Sequence, residues 1–228
     1  MQTKLLEINQ IGKKHAGVFD LPAHHWPGPG QYLPCQRESD HHTILPSNLF
    51  RVLGPEDRLY LAPLPENWLP GDYIQTLPPQ GVGFSLPPTA RRIGLLALGV
   101  SPLRLLPLLK PALAQNAALV LFWDSQPNQD ILHHLPTAVE VAPSTSLVEN
   151  FDWLDYLVVD LDLASLPQLD ALIDTQKPAF EGQALLRTPM PCRGIGACGV
   201  CAVKTHHGWK LACVDGPVFD LQEVLHVA

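Results

Sequence analysis

Short apolar runs broken by proline and glycine fill the first third of the chain, at residues 16–19, 31–33, 49–53, 59–62 and 73–77. Runs of this length closed by turn formers predict short β-strands that wrap into a small barrel. From residue 89 the pattern changes. Residues 92–98 and 117–123 are continuous apolar runs of buried-strand length, with a helical pattern over 103–114 between them. Pro107 and Pro111 shorten or kink that helix. Further strands are expected at 139–142 and 156–161 and a second helix at 166–173, and this alternation predicts a parallel sheet. After residue 182 the chain reads as a strand (183–187), a glycine-rich loop, a strand (201–205), a turn at His206-His207-Gly208 and a strand (209–213). Asp215-Gly216-Pro217 then turns the chain, and Asp220 with Glu223 forms a capping box for a terminal helix. The expected fold is a multidomain α+β chain: a β-barrel over 1–88, an α/β domain over 89–181 and a small β-rich domain over 182–228.

Composition narrows the function classes. A length of 228 residues suits one or two domains with room for a small third. With 46% hydrophobic and 16% charged residues, mean hydropathy +0.07 and net charge −7, the chain is globular and not a broadly basic nucleic-acid binder. The most apolar stretch, 93–109, is interrupted by Pro102, Arg104 and Pro107 and falls short of the roughly 20 apolar residues of a membrane span. The N-terminus carries no export pattern, so a reducing cytoplasm is the expected compartment.

In such a compartment clustered cysteines point to metal or redox chemistry. Cys35 stands alone and reads as a structural thiol, whereas Cys192, Cys198, Cys201 and Cys213 share one window with spacing C-x5-C-x2-C-x11-C. Three thiols from a glycine-rich loop and a fourth from a later strand is how a plant-type [2Fe-2S] cluster is held, its first spacing usually one residue shorter. Gly194, Gly196, Ala197 and Gly199 keep side-chain bulk away, so that amides can approach the sulfides. From 182 to 214 there is no acidic residue, while Arg187, Arg193, Lys204 and Lys210 are present, which suits an anionic cluster. The alternatives are a four-cysteine zinc site, which normally pairs two C-x2-4-C knuckles where this chain has one, a thiol redox site, and a cluster-based redox sensor.

The run Met190-Pro191-Cys192 to Cys201-Ala202-Val203-Lys204, with Gly208-Trp209-Lys210-Leu211-Ala212-Cys213-Val214-Asp215-Gly216-Pro217-Val218-Phe219, resembles the C-terminal [2Fe-2S] domain of dihydroorotate dehydrogenase electron transfer subunits. Arg193 is the extra residue in the cluster loop. Pro29-Gly30-Gln31-Tyr32 and Pro79-Gln80-Gly81-Val82-Gly83-Phe84 resemble the barrel motifs of the wider ferredoxin reductase superfamily. The resemblance implies a flavin-binding-like barrel, a ferredoxin-reductase-like nucleotide domain and a cluster domain. It also implies [2Fe-2S], FAD and NAD(P) as cofactors, single-electron relay, and a partner oxidoreductase, the dihydroorotate dehydrogenase catalytic subunit of pyrimidine biosynthesis. Two of the cofactors lack their motifs. Leu45-Pro46-Ser47-Asn48-Leu49-Phe50 stands where Arg-x-[Tyr/Phe]-Ser should bind flavin, Ala97-Leu98-Gly99-Val100-Ser101-Pro102-Leu103 keeps one glycine of the nucleotide loop, and Val158-Val159-Asp160-Leu161-Asp162 replaces a Cys-Gly motif. Whether FAD and NAD(P) are retained stays open at this point, as does whether the chain is an enzyme or an electron-transfer subunit only.

The pairs His24-His25, His41-His42, His133-His134 and His206-His207 read as surface or turn residues, with His206-His207 placed to tune a cluster. Trp209 reads as a core aromatic or a shield for the cluster. Asp152, Asp155, Asp160 and Asp162 show no base partner, and no catalytic acid or base is assigned.

Overall fold

The computed structural model describes residues 1–11, 14–40, 45–52, 57–123, 129–174 and 180–227. Strands β1 (Gln2–Ile11), β2 (Lys14–Phe19), β3 (Tyr32–Arg37), β4 (Ser47–Arg51), β5 (Leu59–Ala62) and β6 (Tyr73–Thr76) close a barrel in the order β1-β2-β5-β4-β3-β6. Closure removes the free edges an open sheet would expose. Leu5, Leu33, Leu49, Leu61 and Ile74 fill its interior, and Cys35 lies among them with its Sγ 3.6 Å from Thr76 Oγ1. The sequence pattern does not reveal β1. One of its inward positions is Thr3, which breaks the apolar alternation and is satisfied inside by donating to the Asp20 carbonyl at 2.7 Å.

A six-stranded sheet follows. It contains β7 (Arg92–Leu98), β8 (Ala118–Trp123), β9 (Val139–Pro143), β10 (Tyr156–Asp162) and β11 (Glu181–Arg187), all parallel. The hairpin β12 (Ala202–Thr205) and β13 (Gly208–Leu211) stands apart from the sheet, and β14 (Val218–Asp220) returns to it, pairing antiparallel with β11. The sheet order is β14-β11-β10-β7-β8-β9. The helices are short: α1 (Leu109–Ala114), α2 (Gln129–Leu132), α3 (Leu166–Asp174) and α4 (Leu221–Val224). The helix expected over 103–114 is two 3-10 turns, Pro102–Arg104 and Leu106–Leu108, followed by α1, because each proline removes an amide donor.

The strand expected at 183–187 is β11, paired in parallel with β10. The chain therefore leaves the sheet at Arg187, builds the cysteine segment and comes back at Val218, so that segment is tied to the sheet at both ends. One buried cluster runs from Tyr32 and Phe50 of the barrel, through Leu96, Val159 and Leu185 of the sheet, to Cys201, Val203 and Cys213. The capping box at Asp220 and Glu223 does not form. Asp220 precedes α4 without a side-chain cap bond, and Glu223 accepts from Lys210 Nζ at 2.7 Å instead, holding the hairpin to α4. Among the described residues no helix is long and apolar enough to cross a membrane.

Candidate metal centre

Two barrel motifs carry the cysteine segment. Gln31 Nε2 donates to the Gly81 carbonyl at 3.0 Å and joins the Pro29–Tyr32 and Pro79–Phe84 stretches. Gly81 has φ +76, and a Cβ there would sit 2.6 Å from the Gly216 carbonyl oxygen, so only glycine lets the barrel approach the Gly216-Pro217 turn this closely. The adjacent Val82 amide donates to the same Gly216 carbonyl at 2.5 Å. Both ends of the segment are also pinned by side chains. Asn48 Nδ2 donates to the Met190 carbonyl at 3.0 Å, and the buried Tyr32 hydroxyl donates to the Cys213 carbonyl at 3.1 Å. Burial, then Cys213, Cys192 and Cys201 nearby, push the Tyr32 pKa up and keep it a donor.

This frame brings the four window cysteines together. Cys192 and Cys213 approach to 3.8 Å between sulfurs, Cys192 also meets Cys198, and Cys213 meets Cys201. Cys201 and Cys213 are buried, Cys192 is half-buried and Cys198 is exposed. Burial raises the Cys192 thiol, but amide hydrogen bonds from Gly196 and Ile195 and its contacts with Cys213 and Cys198 outweigh it and lower its pKa. Cys213, with burial first and then its contacts to Cys201 and Cys192, is pushed up. Gly196 reaches its position at φ +75 and Arg193 at φ 57. The extra loop residue is thus absorbed as a left-handed turn, and its guanidinium donates to Gln36 Oε1 on the barrel.

The donor set fits a two-iron cluster. Four thiols from a loop and a hairpin end touch pairwise, amides point at one sulfur, and no carboxylate lies in the sequence from 182 to 214. A structural zinc site normally pairs two C-x2-4-C knuckles, and this segment has one, Cys198 to Cys201.

Other expected site residues fall elsewhere. Trp209 is 71% exposed on the hairpin, opposite Lys204, and is not a core aromatic, because β12 and β13 pair only with each other and leave one face to solvent. His206 Nε2 lies 2.8 Å from the Leu225 carbonyl, tying the hairpin turn to the C-terminus. The His24 and His25 rings meet with centroids 4.1 Å apart and tilted by 49°, His133 and His134 follow α2, and His41-His42 lies outside the described residues. Asp155 pairs with Arg92 and Asp160 with Arg104. Sequence reasoning missed Tyr32 and Asn48 as supports of the centre. Tyr32 was visible only as part of a barrel motif, and Asn48 sits in the stretch without a motif.

Comparison with known proteins agrees with this geometry. Residues 188–225 match the iron-sulfur cluster binding domain of dihydroorotate dehydrogenase B. A curated relative, the electron transfer subunit of dihydroorotate dehydrogenase B (NAD(+)) from Desulforamulus reducens, is 24% identical over 197 residues, 78% of this chain and 73% of the relative. Among solved structures, an NADH-dependent reduced ferredoxin-NADP oxidoreductase superposes with TM-score 0.75 at 16% identity, covering 97% of this chain and 89% of that one. A ferredoxin NADP+ reductase from Neisseria gonorrhoeae with bound FAD and NADP superposes with TM-score 0.57 at 14% identity, covering 77% and 90%. The fold is that of ferredoxin reductases, with a cluster-binding segment at its C-terminus.

Proposed function

We propose that this chain, similar to the electron transfer subunits of dihydroorotate dehydrogenase B and built on a ferredoxin reductase fold, is an electron relay whose Cys192, Cys198, Cys201 and Cys213 ligate a [2Fe-2S] cluster. The observation that carries the reading is the pairwise contact of these four thiols within the matched cluster-binding segment. A bound cluster supplies one-electron oxidation and reduction without proton transfer. The chain's own residues set its surroundings. Tyr32 and Asn48 fix the two ends of the cysteine segment, the Gly196 and Ile195 amides favour a thiolate at Cys192, and the cationic segment favours an anionic core.

Beside the exposed Cys198 the loop exposes Ile195 and Val200, and Val214, near Gly196, is exposed after the hairpin. An apolar rim at the edge of a redox centre is where a partner protein docks. The partner is an oxidoreductase, by likeness to the named relative the dihydroorotate dehydrogenase catalytic subunit, and the setting is pyrimidine synthesis in the cytoplasm. The zinc alternative is not favoured, because the segment matches an iron-sulfur domain and carries one C-x2-C knuckle where a structural zinc site normally pairs two.

The test is anaerobic purification with metal analysis and visible and EPR spectra. About two irons and two sulfides per chain, with a rhombic EPR signal on reduction, are expected. Cys213→Ser should abolish both. A colourless wild-type protein with about one zinc would overturn the reading.

A further inference from the structure

Two of the three stretches that lack their cofactor motifs meet at one place, through Phe50 and Asp160, with Arg104, the residue that follows the third. The sheet is laid down from β7 outward to β8 and β9, and then on the other side to β10 and β11, so its topological switch point lies between β7 and β10. Open α/β sheets bind ligands in the crevice outside the carboxyl ends of the strands at that point. In this chain the crevice holds side chains. Arg104, in the 3-10 turn after β7, donates from Nε and an Nη to both oxygens of Asp160 on β10, each at 2.9 Å, and Asp160 is fully buried. The same guanidinium lies 5.4 Å from the ring centroid of Phe50, on β4 of the barrel. Arg187, at the end of β11, donates to Asp162 at 2.5 Å and stands 3.9 Å from Asp160.

Two guanidiniums thus face two carboxylates, and a barrel aromatic covers one of the guanidiniums. The space remaining beside Lys14, Ser101, Arg104 and Arg187 is about 70 Å³, against roughly 300–1,000 Å³ for a pocket that encloses a cofactor-sized ligand. The residues present do not fit a flavin ring or a nicotinamide here.

We infer that Phe50, Arg104, Asp160 and Arg187 close the switch-point crevice and join barrel to sheet, so that this chain holds neither flavin nor pyridine nucleotide there. Resting on the relay reading above, the inference assigns the splitting of a hydride's electron pair to a separate protein. This chain then takes electrons singly from a reduced one-electron carrier, which is oxidised by one electron at each encounter.

The test uses the full-length, anaerobically purified protein, titrated with FAD, FMN, NADH and NADPH by fluorescence and equilibrium dialysis, with acid-released flavin and iron measured on the same sample. No released flavin and no saturable binding are expected. Stoichiometric flavin, or saturable binding of any of the four, would overturn the inference while leaving the relay standing if iron is present. No iron together with no binding would sink the relay reading and uphold the closed crevice. Hydrogen exchange supplies a second reading. Arg104→Ala should accelerate exchange in β4 and β10 together, and unchanged protection in both would overturn the joint.

Discussion

The cysteine segment and the switch-point crevice treat their polar groups in opposite ways. In the first, amides point at a sulfur, an acid-free stretch of sequence surrounds the thiols, and the four thiols meet one another. In the second, each carboxylate meets a guanidinium from the same chain, and an aromatic ring covers the pair that is most buried. A site kept for a guest leaves its donors and charges unmatched. A site that has closed matches its charges internally, since a buried charge without a partner costs several kcal/mol, and in the crevice one buried donor, Arg187 Nε, is left without a hydrogen-bond partner.

The largest effect should come from breaking that match. Arg104→Ala leaves Asp160 fully buried with only Arg187 at 3.9 Å, and should lower stability by about 3–5 kcal/mol in urea unfolding. Replacing both partners, Arg104→Met with Asp160→Leu, should recover most of that loss, because an apolar pair of similar volume needs no charge balance. Neither change touches the cysteines, so the cluster's visible absorption should persist in the folded protein. Bleaching in Arg104→Ala at native temperature would break the comparison, since it would make the crevice part of the cluster's support.

A smaller effect is expected where the two regions meet. Tyr32 belongs to the barrel, its ring lies 6.0 Å from that of Phe50, and its hydroxyl holds the Cys213 carbonyl. Tyr32→Phe leaves that carbonyl short of a donor and should cost about 1–3 kcal/mol. Iron release to a chelator should quicken in step, because the Cys213 end of the segment loses its anchor. A stability loss with unchanged iron release would separate barrel packing from support of the centre.

The difference between the two regions also governs what the sequence reveals. The cysteine segment is legible because its chemistry is local: three of its four sulfurs lie within ten residues, and the spacing and the glycines are read along one stretch. The crevice is legible only as missing motifs. Its members, Phe50, Arg104, Asp160 and Arg187, come from four elements scattered along the chain, and nothing local announces that Arg104 will meet Asp160. The sheet follows the same rule. Its central strands are buried on both faces and read as continuous apolar runs, whereas β1 was hidden by Thr3 and β14 is only three residues long. The capping box failed for a tertiary reason, because Glu223 is drawn to Lys210, thirteen residues earlier.

The smallest effect should come from the fifth cysteine. Cys35 is as buried as Cys201 and Cys213, so burial alone does not mark a ligand. It differs in its neighbours. Its sulfur faces the Thr76 hydroxyl inside the barrel at 3.6 Å, whereas each of the other four sulfurs meets a second thiol. Cys35→Ala should cost about 1 kcal/mol of stability and leave iron content and absorption unchanged. Loss of iron in this variant would show that the barrel interior reaches the centre by a route other than Tyr32 and Asn48, and the division between a scaffold that only positions and a segment that binds would have to be redrawn.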